Sequence, residues 1–269
     1  MRRTVHLART ALRPATLREL RELASAAALY PFGISSAANT GLLRLLASDR
    51  AVSARTVRTP VVLVHGYGGN RSNWLPLHDR LAAAGFVNLH AMLYNPLTSD
   101  LPGIAARLTA DCEAACRDAG VDRVHVVGHS LGGVVLRYAV ARLGLGRHLD
   151  VGMTIASPHG GAPVARLGRG AVAVDLRPGS ALLRELAAAP SPAEVRWVCY
   201  WSDADHVVAP SSARLSSTEP GALDVHVPEQ GHLSILRAPA LLADAVERLL
   251  AAEDAAPTAA ASADAARAA

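Results

Sequence analysis

With 269 residues, 51% of them hydrophobic, 19% charged and 4% aromatic, the chain can build one large domain or two small ones without staples. A wholly disordered chain, a collagen-like repeat and a disulfide scaffold are excluded on the same figures. The formal charge of +4 is unevenly spread: residues 1–60 carry ten Arg against Glu19, Glu22 and Asp49, or +7, and the remainder carries 17 Arg against 20 acids, or −3. A nucleic-acid binder concentrates its positive charge on the folded domain, so a slightly acidic main domain argues against that partner. All 27 basic residues are Arg, a bias of GC-rich coding rather than of chemistry.

In chain order, residues 16–28 place Leu17, Leu20, Ala24 and Ala27 on one helical face, with Arg18, Arg21 and Glu22 opposite. Thr40 is placed to cap a second short helix with Leu42, Leu45 and Leu46 inward. This N-terminal extension, residues 1–55, is expected to cover the surface of the main domain, with contact to a membrane or partner as the alternative. Its loss is expected to spare the activity of the main domain. The uncharged run from Leu23 to Leu43 is broken by Pro31, Gly33 and Asn39, too weakly apolar for a membrane span. As a secretory leader it would have an unusual acid-bearing front. A cytoplasmic or peripherally membrane-associated location is expected, with export the alternative.

From residue 56 to 252 strands and helices alternate. VVLV (61–64) ends at His65-Gly66-Tyr67-Gly68-Gly69, and a helix around Trp74, Leu77 and Leu81 closes at Gly85. A strand near 87–94 precedes a helix over about 102–118, capped by Ser99 or Asp100. VHVV (124–127) runs into Gly128-His129-Ser130-Leu131-Gly132-Gly133 and a further helix. Strands at 151–156, 195–201 and 223–227 and a closing helix at 239–252 complete the pattern. It predicts an α/β fold: a mostly parallel sheet covered on both faces by helices, with a short cap region. Residues 253–269 are expected to form a disordered Ala-rich tail. Cys112, Cys116 and Cys199 are expected to be reduced, partly buried thiols.

Gly128-His129-Ser130-Leu131-Gly132 matches G-x-S-x-G between a strand and a helix, where a serine on a strained turn projects its hydroxyl and the glycines avoid collision. An oxyanion needs two backbone donors. Leu131 N–H supplies one, and the loop after VVLV supplies the other from Tyr67 N–H. An activated serine needs a base and an orienting carboxylate. Ser-Asp-Ala-Asp-His (202–206) offers Asp203 or Asp205. His206 is too close to turn back onto the acid, and His226 alternates within a strand. His232, in a loop with Gly231 to free its backbone, is the expected base. The acid must clear the strand end near Trp201, so Asp205, anchored by Val207-Val208-Ala209-Pro210, is favoured, while Asp203 caps the turn. His65 and His159 are expected to shape their loops.

Taken together, HGYGGN, VVGHSLGG, SPHGG, SDADHVV and QGHLSIL resemble the α/β-hydrolase superfamily, and within it bacterial triacylglycerol lipases and esterases, over about residues 60–250. The resemblance implies Ser130 as nucleophile, Asp205 as acid, His232 as base, and Tyr67 and Leu131 as oxyanion donors. It further implies hydrolysis of small-molecule acyl esters or lipids through an acyl-enzyme, with no cofactor; acyl transfer or thioester hydrolysis by the same residues is the alternative. The short stretch between the strands at 151–156 and 195–201 argues against a long lid, and no calcium-binding aspartate pattern is present. Acyl-chain length is expected to depend on how Trp74 and residues 160–190 fold over the site.

Overall fold

Strands of β-branched residues buried on both faces must pair on both edges, and here they form a six-stranded, all-parallel sheet. The computed structural model describes residues 14–34, 53–189, 191–192 and 194–255. Strands β1 (Val61–Val64), β2 (Leu89–Ala91), β3 (Val124–His129), β4 (Leu149–Ile155), β5 (Arg196–Trp201) and β6 (Leu223–His226) lie in the order β2-β1-β3-β4-β5-β6. The helices are α1 (Pro14–Ile34), α2 (Leu75–Ala83), α3 (Leu101–Ala119), α4 (Leu131–Leu143), α5 (Ala171–Asp175), α6 (Ala181–Ala188), α7 (Pro210–Ala213) and α8 (Pro239–Ala255).

Alternate residues of a strand point to opposite faces, and the two cores divide accordingly. Val62, Val64 and Val126 pack with α3 and α4, through Leu101, Ile104, Leu108 and Val135. Val61, Leu63 and Val127 pack with α2 and α8, through Leu77, Leu81, Leu241 and Leu249. Local chemistry sets the helix ends. Asp100, rather than Ser99, caps α3 by accepting from Gly103 N–H at 2.8 Å, and Gly120 closes that helix at φ 66°. Cys112, Cys116 and Cys199 are buried and unbonded, and burial pushes the Cys199 thiol up to about 12.

Three expectations are altered. The strand near 87–94 contracts to Leu89–Ala91 because β2 is an edge strand, paired to β1 alone and only half buried. The closing helix continues to Ala255, so residues 253–255 belong to the domain rather than to a disordered tail. Glu253 holds that end by accepting from Thr59 Oγ1 at 2.9 Å and from His125 Nε2 at 2.8 Å. The N-terminal helix spans Pro14–Ile34 and docks by Ala15, Glu19, Glu22, Ser25, Ala26 and Leu29, while Leu17, Leu20 and Leu23 stay 53%, 53% and 49% exposed. The helix expected around residues 40–46 and the tail beyond 255 lie outside the described residues. Among the described residues, no helix is long and apolar enough to cross a membrane.

One buried ion pair ties the α4 face to the loops beyond β5. Arg137 on α4 is 1% exposed and donates from Nε to Glu219, itself 2% exposed, at 3.0 Å. Its Nη2 donates to Leu186 O and Thr218 Oγ1. Glu219→Ala strands a buried guanidinium and is expected to destabilise the fold by about 3–5 kcal/mol, measured by urea unfolding. Loss of under about 1 kcal/mol, the size of a typical exposed pair, would show that the pair is solvated.

Candidate active site

The chain leaves β1 and β3 in opposite directions across the sheet, and a crevice opens beyond their carboxyl ends, where such sheets place ligands. Ser130 follows β3 directly, with φ 52° and ψ −122°, a conformation that costs a non-glycine residue roughly 1–3 kcal/mol. The surroundings hold it there. Ser130 N–H donates to Ile155 O at 2.9 Å, and Ser130 O accepts from Gly133 N–H at 3.1 Å. The tight crossing of strand and helix explains the two glycines of the motif. A Cβ on Gly128 would stand 2.5 Å from Gly132 C, and one on Gly132 would strike the carbonyls of Val64 and His65.

Loops after β5 and β6 bring the other two side chains to Ser130. His232 Nδ1 lies 2.8 Å from Asp205 Oδ2, and His232 Nε2 lies 3.0 Å from Ser130 Oγ. With the imidazole proton on Nδ1 facing the carboxylate, Nε2 accepts from the serine hydroxyl. Asp205 Oδ1 accepts from Val207 N–H at 2.8 Å and Val208 N–H at 3.0 Å. Val208 packs with Ala162 and Ala213, with Val207 and Trp201 against them, so the loop is pinned as its apolar run predicts. Burial alone would raise the Asp205 carboxyl, but the hydrogen bond and charge of His232 and the two backbone donors hold it below its ordinary value.

Asp203 plays another part than the turn cap expected of it. Its Oδ1 accepts from Glu229 N–H and from His226 Nε2, both at 3.1 Å, so it ties the loop after β5 to the loop after β6. His226 stacks on Trp201. The local turn bond falls instead to Ser202, whose Oγ accepts from Ala204 N–H.

The glycine loop after β1 lies against the serine: a Cβ on Gly66 would be 2.9 Å from Ser130 Cβ. The N–H groups of Leu131, at the first turn of α4, and of Tyr67 have no partner among the described residues. His65 shapes this loop as expected. Its Nδ1 donates to Gly66 O, its ring stacks on Tyr94 at 4.1 Å, and Tyr94 Oη donates to His65 O. Burial lowers His65 to about 4, so it stays neutral. His159 is buried beside Thr154 Oγ1, again in a loop-shaping role.

Two site residues carry no signal in the sequence reading. His129, buried next to Ser130, donates from Nε2 to the backbone O of His232 at 2.9 Å. Burial, then the charge of His232, lowers it to about 3, so it remains a neutral donor. Glu19, from α1, accepts from Leu233 N–H at 2.8 Å and Ser234 N–H at 3.0 Å, immediately after His232. Gly231 serves this contact: a side chain there would meet the Glu19 carboxylate, and its own φ is not positive.

A cavity of about 500 Å³ opens on Ser130 and His232, walled by Tyr67, Asn73 and Leu233, and by Leu23, Ala26 and Ala27 of α1. The expected wall is therefore replaced. Trp74 is buried in the core under α2, and none of residues 160–190 lines this cavity. At the opposite, amino ends of β3 and β4, His125, Asp150 and Glu253 bring three metal-ligating atoms together. The donors are already engaged: Arg123 and Arg196 pair with Asp150, and Glu253 with His125. The group is a hydrogen-bonded latch between sheet and α8, set beside two Arg–Asp150 ion pairs.

Residues 60–209 match a family model described as palmitoyl protein thioesterase. Over 154 residues, 53% of this chain, the sequence is 29% identical to a triacylglycerol lipase of Burkholderia plantarii, covering 42% of that protein. Over 88 residues, 29% of this chain, it is 34% identical to a dihydrolipoyllysine-residue acetyltransferase component of the acetoin cleaving system of Pseudomonas putida, covering 21% of that protein. The chain thus spans less than half the length of either curated relative. A lipase of Bacillus licheniformis in its mature form superposes with a TM-score of 0.63 at 18% identity, over 75% of this chain and 96% of that one. That likeness is one of fold, and the fold is that of the α/β-hydrolases.

Proposed function

The chain belongs to the palmitoyl protein thioesterase family, and from that premise we propose that it is a serine ester hydrolase that cleaves acyl esters through a covalent acyl-enzyme. The observation that carries the reading is the continuous hydrogen-bonded chain Ser130–His232–Asp205, at 3.0 and 2.8 Å, on a strained turn at the floor of an open cavity.

Ser130 Oγ attacks the carbonyl carbon of the ester while its proton passes to His232 Nε2. Asp205 keeps the other imidazole proton on Nδ1 and stabilises the imidazolium. The carbonyl oxygen, now an oxyanion, takes the N–H groups of Leu131 and Tyr67. His232 then gives its proton to the leaving alcohol, the tetrahedral intermediate collapses, and the acyl group remains on Ser130. A water deprotonated by the same imidazole releases the acid and restores the serine. A thioester substrate follows the same steps with a thiol as leaving group, and the family match favours it as the second reading. The test is labelling of Ser130 by a fluorophosphonate, followed by turnover of p-nitrophenyl esters from acetate to palmitate beside a palmitoyl thioester. Absence of both labelling and turnover would overturn the reading.

The electrostatics predict the pH profile. The base works only when neutral, so kcat/KM is expected to rise with pH along one limb and level off, measured between about pH 5 and 9. Asp205, held below the ordinary carboxylate value, stays ionised across that range. Its contribution to stability is fully present above its unfolded pKa, about 3.9, and is lost only as pH falls through the lowered folded value. His129 and His65 are neutral throughout and add no further limb. A second acid limb inside the range would contradict this assignment.

A further inference from the structure

The docking of α1 runs against its own periodicity. Its apolar row Leu17-Leu20-Leu23 is left half exposed, and the face set against the domain is mixed: Ala15, Thr16, Glu19, Glu22, Ser25, Ala26 and Leu29. Carboxylates turned inward must find polar partners there, and among the described residues these lie on the segment after β6 that carries His232. Arg18 Nη1 donates to Glu229 O at 3.2 Å. Glu19 takes the N–H groups of Leu233 and Ser234. Glu22 pairs with Arg237, which also donates to Ser25 Oγ. The contacts bracket His232 from residue 229 to residue 237.

Glu19 matters most among them. The segment leaving His232 turns at once into a 3-10 turn, Ser234–Arg237, whose first N–H groups have no partners of their own. A carboxylate taking two of them makes charge-assisted bonds and fixes the backbone on the C-terminal side of His232. His129 fixes the carbonyl of His232 itself. The imidazole therefore reaches Ser130 and Asp205 from a backbone that His129 holds at the His232 carbonyl and α1 holds just after it, while Gln230 N–H and Gly231 N–H donate to Ser202 Oγ and Ser234 Oγ on the other side.

The same helix faces the reacting centre with its apolar side. Leu23, Ala26 and Ala27 wall the cavity that holds Ser130 and His232. Leu20 and Leu17 continue the row outward from Leu23 by about 9 Å, six residues at 1.5 Å each. A substrate whose carbonyl sits at Ser130 meets on this side a methyl-lined wall and then an exposed apolar track, a surface that matches methylene groups and offers nothing to a polar chain.

We propose that α1 is part of the working site: Glu19 is a positioning residue for His232, and Leu23, Ala26 and Ala27 form the wall that receives the acyl chain of a long-chain ester. This rests on the reading of the chain as a serine ester hydrolase and goes beyond it by naming the element that positions the base and walls the acyl side of the cavity.

The experiment uses the full chain. Glu19→Ala is expected to lower kcat on p-nitrophenyl butyrate by roughly 10- to 100-fold, the scale of a misplaced catalytic group, with KM nearly unchanged. Fluorophosphonate labelling should slow by the same factor. Glu19→Gln, which keeps one acceptor oxygen and the side chain's shape, should restore part of the rate, and it carries the test should the alanine variant not fold. Leu23→Glu is expected to lower the ratio of kcat/KM for palmitate over butyrate esters at least tenfold. If both Glu19 variants lower the thermal midpoint but leave kcat unchanged well below it, the helix is a structural cover and the positioning role is overturned. An unchanged chain-length ratio in Leu23→Glu overturns the acyl wall. A wild-type protein that neither hydrolyses any ester nor reacts with the fluorophosphonate refutes the hydrolase reading instead, so the two failures are distinct.

Discussion

Ser130→Ala is expected to reduce ester turnover by about 10⁶, the scale seen when a nucleophile that acts as one unit with its base is removed. Covalent labelling should vanish with it. The substitution deletes one oxygen and keeps the Cβ, so the strained backbone at φ 52° is neither relieved nor worsened. The bonds holding that backbone, to Ile155 O and from Gly133 N–H, involve no side chain. Thermal unfolding should therefore stay close to that of the wild type. Folded protein with turnover near the wild-type level would mean that the cavity serves another chemistry.

Asp205→Asn is expected to lower turnover by about 10⁴ while leaving the loop in place. The two oxygens of Asp205 have separate tasks. Oδ1 accepts from Val207 and Val208 N–H, and an amide oxygen can keep both bonds; Oδ2 faces His232 Nδ1. An amide N–H₂ in that second position drives the imidazole proton onto Nε2, where a lone pair is needed to take the serine proton. Asp203→Asn should cost far less. That carboxylate is exposed and joins Glu229 N–H and His226, on the side of the loop away from the imidazole. The two variants form one comparison, read as kcat on a soluble ester beside the unfolding midpoint. The reverse order would move the acid to Asp203.

That Ser130 and His232 would meet was legible because their signals are written within a few residues: glycines at fixed offsets after a β-branched run, and a histidine in a loop between a strand and the closing helix. Choosing Asp205 over Asp203 rested on the apolar run behind it, and that run does pack, with Val208 buried against Ala162 and Ala213. What was not legible is set by long-range pairing. Glu19 meets Leu233 and Ser234 across 214 and 215 residues, and no local pattern encodes that. Periodicity singled out an apolar stripe on α1, but the surface awaiting the helix offers unpaired N–H groups and Arg237, so polar matching decided which face docks. Trp74 is expected from the sequence to fold over the site, and does not. The 3-10 turn Arg71–Trp74 swings it inward, where burying an indole outweighs a place at the rim. The domain's end was set three residues early because Ala-rich composition hides the contacts that Glu253 makes with Thr59 and His125.

The contact between Glu19 and Ser234, spanning 215 residues, also bears on the order in which the molecule matures. During synthesis, α1 leaves the ribosome long before the segment it caps exists, and closing so large a loop is entropically among the last steps to be rewarded. The sheet from β1 to β5 can assemble first from neighbours close in sequence, with the nucleophile turn already in place on β3. The Ser130–His232–Asp205 hydrogen-bonded chain is then completed in one late step, when the β6 loop and α1 seat on each other. On the proposed reading, a nascent or partly folded chain would carry its serine hydroxyl without the imidazole held in line, and so would be inert toward esters until folding is complete.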